Sequence, residues 1–199
     1  MGITITVSAV LSLFGLAVAF FYMKKVTSIP LDMGLDEKDG TRLRFIHGAI
    51  ASGAMAFLKQ EYKFLTIFMV LFAIVIALLI DDSHTPDISE GIYTAIAFLF
   101  GGAISIASGY IGMKVATQGN ARTTVSAKKD ISNAYDVAIN SGAVMGFALV
   151  SLAVLGLVVI YLVMSSLLSD LGEANNHILM EVIAGFGLGG STIALFARV

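Results

Sequence analysis

Two short polar stretches bring acidic side chains together at a spacing that could bind a divalent cation. Residues 32–39 hold four carboxylates, and residues 81–87 hold three aspartates and His84. Carboxylate oxygens are the ligands that Mg²⁺ and Ca²⁺ prefer, but acids interleaved with Lys38 and followed by Arg42 are typical of a solvated loop. The second stretch contains Pro86, which is typical of a turn that follows a helix. We therefore expect no metal ligands and no catalytic residues in this chain.

Arg198 places a permanent positive charge directly after an apolar, glycine-rich run. A guanidinium at membrane depth is costly unless it meets a carboxylate, a phosphate or water in a cavity. From the residue alone, an anchor at the cytoplasmic membrane surface is a sufficient explanation.

Small residues recur at three- and four-residue steps in two apolar segments. They are Gly101, Ser105, Gly109 and Gly112 in one segment, and Gly185 and Gly189 in the other. This spacing lets membrane helices approach closely, so we expect these six to be helix-packing positions. Gly185, Gly187 and Gly190 also match the dinucleotide-binding pattern G-x-G-x-x-G, but that pattern needs a preceding strand. We interpret them as packing positions inside a span.

The composition excludes a water-soluble domain. Hydrophobic residues make up 57% of the chain and charged residues 13%, and the mean hydropathy is +0.90. A spanning helix needs about 20 mainly apolar residues, and five segments qualify: Ile3–Met23, Phe64–Ile80, Ile92–Met113, Val137–Leu168 and Val182–Ala197. None shows the alternation of a membrane β-strand. The sequence predicts an all-α, polytopic transmembrane helix bundle in one membrane domain, with spans at about 3–23, 48–80, 92–114, 134–168 and 178–199.

The chain contains no cysteine. Disulfides, iron–sulfur clusters and thiol chemistry are therefore excluded within this chain.

The distribution of charge predicts the orientation. If the five spans alternate in direction, all 12 Lys and Arg residues fall on one side of the membrane. By the positive-inside rule that side is cytoplasmic. We therefore expect the N-terminus outside and the C-terminus inside, with residues 24–63 and 114–136 in the cytoplasm and residues 81–91 outside.

Three connecting stretches carry further expectations. Val26–Phe45 is polar and contains breakers, which indicates a cytoplasmic loop. Ile46–Lys63 is helix-compatible and continues without a breaker into the second span. Lys114–Asp130 is cationic, and we predict a cytoplasmic loop there that anchors the chain. It lacks the interleaved aromatic residues of a nucleic-acid surface, so no nucleic-acid partner is expected.

Four stretches resemble the membrane-integral, ion-pumping inorganic pyrophosphatases. They are SGYIGMKVATQGNARTT (108–124), GAMAFLKQEYK (53–63), SGAVMGF (141–147) and GFGLGGSTIALFARV (185–199). The resemblance covers the chain from Lys24 onward. It departs from the family at Ser52, where many relatives are expected to carry an acidic residue, so any role of that position is left open.

The resemblance implies a larger protein, of which this chain is the N-terminal part. Members of that family are homodimers of many-helix subunits in the lipid bilayer. By resemblance, the first four spans belong to an outer ring of helices and the fifth to an inner ring. The membrane would be the plasma (inner) membrane in a bacterium and an acidic-organelle membrane in a eukaryote.

The implied activity is hydrolysis of inorganic pyrophosphate that drives protons or sodium ions out of the cytoplasm. Magnesium is the implied cofactor, bound by residues downstream of Val199. The sequence does not decide the pumped ion or a potassium requirement. Arg198 matches the family's arginine between the substrate site and the ion path, which makes it the ion-gate and coupling candidate. The alternative is a stand-alone five-span membrane scaffold or binding subunit without catalytic activity.

Overall fold

The computed structural model describes residues 2–31, 34–80, 90–168 and 174–196, and within these ranges the chain forms helices and no strand. The helices are α1 (Gly2–Thr27), α2 (Glu37–Leu79), α3 (Glu90–Lys129), α4 (Ile131–Leu167) and α5 (Ala174–Phe196). All five are long and apolar enough to cross a membrane. The prediction of an all-α protein with five candidate spans is confirmed.

Three of the helices are much longer than one membrane crossing requires. Helices α2, α3 and α4 contain 43, 40 and 37 residues, whereas about 20 are enough to span a bilayer. The expected continuation of Ile46–Lys63 into the second span is confirmed, because α2 runs through both. Pro30, which cannot donate a backbone hydrogen bond, lies between α1 and α2 rather than inside either.

The prediction of a loop over Lys114–Asp130 is wrong. Helix α3 continues through this stretch to Lys129, and Asp130 alone separates it from α4. The polar residues do not all face solvent: Thr117, Arg122 and Ser126 are buried, together with Val125. Tertiary packing therefore stabilises a helix where composition favoured a loop. The loop expected over Val26–Phe45 is likewise too long, because α1 extends to Thr27 and α2 begins at Glu37.

The chain divides into two compact units. Each of the helices α1 to α4 contributes residues to both units. The first unit comprises Met1–Val10, Glu61–Ala107 and Leu152–Val199. Its core holds one cluster around Val182 and Phe186 and another around Phe98 and Ile193. The second unit comprises Leu11–Gln60 and Ser108–Ser151. Its core consists of Ala19, Val115, Val144 and Ala148.

Candidate functional site

Helices α3 and α5 come into backbone contact in the first unit, at glycines on both sides. A Cβ atom added at Gly189 would press on the carbonyl oxygen of Phe98 and lie 3.0 Å from the nitrogen of Gly102. One added at Gly101 would press on the carbonyl oxygen of Phe186 and lie 2.9 Å from its carbon. Separations under 3 Å leave no room for a methyl group. At these two positions, only a residue without a side chain fits the observed spacing.

Gly185 makes a similar approach one turn earlier along α5. An added Cβ would lie 2.7 Å from Thr94 Cγ2 and 2.8 Å from the Thr94 carbonyl oxygen. Gly187, by contrast, has nothing within 4 Å of an added Cβ. The glycines of the GFGLGG run therefore differ in their surroundings, and Gly187 is a natural control.

The other small residues of α3 differ in their surroundings. Gly112 is buried in the second unit against α4, where an added Cβ would lie 3.1 Å from Met145 Cε. Ser105 is half-buried and Gly109 is exposed. Gly102, which the spacing rule does not select, meets both α2 and α5, because an added Cβ would press on Met69 and lie 3.4 Å from Ile193 Cγ1. The small-residue spacing therefore does not identify which neighbour each position meets.

Arg122 is a site that the sequence reasoning missed. Its side chain is buried in the second unit, with 8% of its surface exposed. Its guanidinium donates from Nε to the carbonyl oxygen of Ile29 at 3.1 Å and from Nη2 to that of Thr27 at 3.2 Å. Nη1 donates to the backbone oxygen of Gln118 at 3.1 Å and to its side-chain oxygen at 2.6 Å. One side chain thus joins the end of α1 to α3.

The hydrogen bonds of Arg122 supply donors to carbonyl groups at the end of α1. The last carbonyl groups of a helix have no partner within that helix, and they carry partial negative charge that favours a nearby cation. A planar guanidinium can donate to several acceptors at once, which an ammonium group cannot do in the same geometry. The helical spacing of Gln118 and Arg122, four residues apart in the SGYIGMKVATQGNARTT stretch, is the signal that could have indicated a buried pair.

A cavity of about 220 Å³ that is partly open to the surface lies beside this junction, also in the second unit. We call it the α1–α3–α4 cavity. Its lining comes from the end of α1, the last turns of α3 and the first turns of α4: Lys25, Val26, Ile29, Ser126, Lys129, Asn133, Asp136, Val137 and Asn140. Most of these described lining residues are polar or charged, and Lys25, Lys129, Asn133 and Asp136 are exposed at its rim. The cavity is therefore a candidate surface site for a polar group.

Several predicted positions lie outside the described residues. They include Arg198, on which the gate assignment depends, and the stretch around His84. Asp36, Glu37 and Asp39 lie within the described ranges. Across those ranges, no group of three or more His, Cys, Asp or Glu side chains is arranged to hold a metal ion. The described residues therefore do not fit a magnesium cluster.

The comparisons with known proteins agree with the sequence motifs. The family model described as inorganic H⁺ pyrophosphatase matches residues 13–199. A relative from Clostridium tetani, named "Putative K(+)-stimulated pyrophosphate-energized sodium pump", is 40% identical over 158 residues, which cover 79% of this chain and 20% of the relative. A relative from Chloroflexus aurantiacus, named "K(+)-insensitive pyrophosphate-energized proton pump", is 33% identical over an alignment 204 positions long, which covers 96% of this chain and 24% of the relative.

These matches extend over nearly the whole of this chain but over only part of its relatives. The chain spans about a fifth to a quarter of the length of the curated relatives it matches. The family model covers both the Arg122 junction and the α3–α5 glycine contact. On this match, the chain belongs to the inorganic H⁺ pyrophosphatase family.

Proposed function

We propose that this chain is part of a membrane pump that couples hydrolysis of inorganic pyrophosphate to transport of protons or sodium ions out of the cytoplasm. The observation that carries the proposal is the family match over residues 13–199, in a chain with five helices long and apolar enough to span a membrane. The relatives are named as proton pumps and sodium pumps. The pumped ion is therefore left to experiment.

Within that pump, this stretch contributes helix scaffold rather than phosphate chemistry. Within the described ranges, no group of three or more His, Cys, Asp or Glu side chains is arranged to hold a metal ion. We propose that magnesium, which would offset the charge of pyrophosphate in such a reaction, is held by residues elsewhere in the protein. Helices α1 to α4 would form an outer layer, and α5 would pack against α3 through Gly101, Gly185 and Gly189. The close contact would fix the position of α5, after which Arg198 follows in the sequence.

Arg198 is the residue of this chain that we propose for coupling. In the sequence it comes two residues after Phe196, the last residue of α5. A permanent cation there would lie between a substrate anion and an ion path, where it could attract either a phosphate oxygen or a carboxylate. We further propose that the protein acts as a homodimer in the lipid bilayer.

The effect of ionophores on the rate of hydrolysis tests the proposal and identifies the pumped ion. Membrane vesicles that contain the protein at its natural length are supplied with magnesium and pyrophosphate, and phosphate release is measured. If hydrolysis is coupled to transport, an ionophore for the pumped ion should accelerate it by removing the opposing gradient. Acceleration by a protonophore alone indicates protons, and acceleration by a sodium ionophore alone indicates sodium. Hydrolysis without any ionophore response would contradict coupling, and no hydrolysis at all would favour the scaffold alternative.

A further inference from the structure

The α1–α3–α4 cavity is lined by two lysines that form no ion pair with another residue of the described ranges. Lys25 and Lys129 both line it. The salt bridge found on this part of α3 instead joins the neighbouring Lys128 to Asp39, at 4.0 Å. The only acidic side chain in the described lining is Asp136. Among the described lining residues, two lysines therefore accompany a single aspartate.

The cavity also offers neutral hydrogen-bond donors. The side chains of Ser126, Asn133 and Asn140 line it, and Ser126 is 3% exposed. Asn133 lies in the first turn of α4, which begins at Ile131. Backbone N–H groups in the first turn of a helix lack partners within the helix, and that end carries partial positive charge. Ammonium, hydroxyl and amide donors together are suited to the oxygens of a phosphate group.

The net charge of the described lining residues indicates which phosphate would fit. Among them, two lysines and one aspartate leave one positive charge. That balance matches the one negative charge of a phosphate diester, whereas the multiply charged pyrophosphate ion would exceed it and be repelled more strongly by Asp136. We propose that the α1–α3–α4 cavity binds a singly charged phosphate ester, of the kind carried by the headgroup of an anionic phospholipid. This inference goes beyond the proposed pump activity and does not depend on it.

Apolar surface beside the cavity favours a lipid over a soluble ester. Phe21 precedes Lys25 by one helical turn on the same face of α1, and 66% of its surface is exposed. Ile139, next to Asn140 on α4, is 53% exposed. A phospholipid with its headgroup in the cavity could lay its acyl chains along such side chains. Basic pockets between membrane helices are a known way to bind anionic headgroups.

Native mass spectrometry of the protein at its natural length tests the proposal. The protein is titrated with phosphatidylglycerol, which carries a singly charged phosphodiester, and with zwitterionic phosphatidylcholine. Removing both cavity lysines, as Lys25→Ala with Lys129→Ala, should weaken phosphatidylglycerol binding about thirty-fold, at roughly fivefold for each lysine near the membrane surface. Asp136→Asn should strengthen it, since a like charge is removed.

The matched control removes two neighbouring lysines instead, as Lys24→Ala with Lys128→Ala. The net charge falls by the same amount, but neither residue lines the cavity. If both double variants lose affinity equally, binding follows diffuse surface charge and the proposal is overturned. Asp136→Asn is predicted to raise the affinity for phosphatidylglycerol, so the proposal can be tested even if a double variant fails to fold. If Asp136→Asn does not raise the affinity, the proposal is overturned as well.

A competition arm distinguishes the source of the phosphate ester. Soluble glycerophosphoglycerol and inorganic phosphate are added to the complex with phosphatidylglycerol. If neither displaces the lipid at concentrations well above that of the lipid, the site is a lipid site, as we expect. If glycerophosphoglycerol displaces it and the lysine dependence persists, the phosphate chemistry stands but the lipid assignment is overturned. Displacement by inorganic phosphate alone would overturn the preference for a singly charged ester.

Discussion

Replacing Arg122 by methionine removes the guanidinium that joins α3 to the end of α1 while leaving an apolar side chain of moderate length. Two of its hydrogen bonds cross between the elements, to Ile29 at 3.1 Å and to Thr27 at 3.2 Å. Hydrogen bonds to a charged group contribute about 1.5–3 kcal/mol each, so the two sum to about 3–6 kcal/mol before offsets. The buried charge no longer has to be desolvated and the freed carbonyls regain water, which reduces the net loss of stability at this junction to about 2–4 kcal/mol.

Amide hydrogen exchange at the end of α1 measures that loss locally. The amides of Ser28 and Ile29 donate to the carbonyls of Lys24 and Val26, at 3.0 and 3.3 Å. If Arg122→Met lowers the local opening free energy by about 2 kcal/mol, these amides should exchange about thirty-fold faster. In Arg122→Lys, the exchange rates of these amides should lie between those of the parent and those of Arg122→Met, because an ammonium group lacks the planar set of donors.

Lys128→Met is the matched control on the same helix. Its ion pair with Asp39 is 4.0 Å long and both side chains are about half exposed, and pairs of this kind contribute about 0–1 kcal/mol. We expect this variant to leave exchange at Ser28 and Ile29 nearly unchanged. Equal acceleration in Arg122→Met and Lys128→Met would refute the reasoning, since the buried guanidinium would then do no more than a surface cation.

Three further predictions concern the orientation of the spans, the α3–α5 contact and the proposed coupling role of Arg198. Cysteines introduced singly at Ile131, which is 82% exposed, and at His177, whose side chain is 69% exposed, should react with an impermeant reagent from opposite sides of the membrane, and same-side labelling would contradict the predicted orientation. Gly189→Ala should lower the free energy of unfolding by about 1–3 kcal/mol through overpacking against α3, measured by denaturant titration, whereas Gly187→Ala should cost far less, because nothing lies within 4 Å of its added Cβ. Arg198→Lys should sharply reduce ion transport in inverted vesicles while leaving expression intact, and parent-like transport in both Arg198→Lys and Arg198→Ala would reduce the residue to an anchor.

The helices were predictable because apolar content marks membrane spans directly. The uninterrupted run from Ile46 through the second span, for example, contains no breaker and forms one helix. The bounds of α3 were not predictable in the same way. A polar stretch at the end of a span has the same composition whether it faces water or packs against other polar groups, and the burial of Arg122 depends on carbonyls about 90 residues earlier in the chain.

The spacing of the glycines predicted helix-packing positions, but it did not predict which helix each position contacts. Gly101 and Gly189 meet the backbones of opposite helices, whereas Gly109, which follows the same spacing, is exposed. A small residue only permits a close approach, and the arrangement of the other helices decides whether one occurs. The α1–α3–α4 cavity was likewise hidden, because its lysines and its aspartate come from three helices and form no motif in the sequence.

Ion uptake driven by pyrophosphate in inverted vesicles tests the proposed pump most directly. The protein is produced at its natural length, and the vesicle lumen is monitored with a pH-sensitive dye and, separately, with radioactive sodium. The account predicts that magnesium and pyrophosphate together start accumulation of protons or sodium, that omission of pyrophosphate prevents it, and that an ionophore for the transported ion abolishes it. Vesicles that contain the folded protein and accumulate neither ion when pyrophosphate is added would contradict the account.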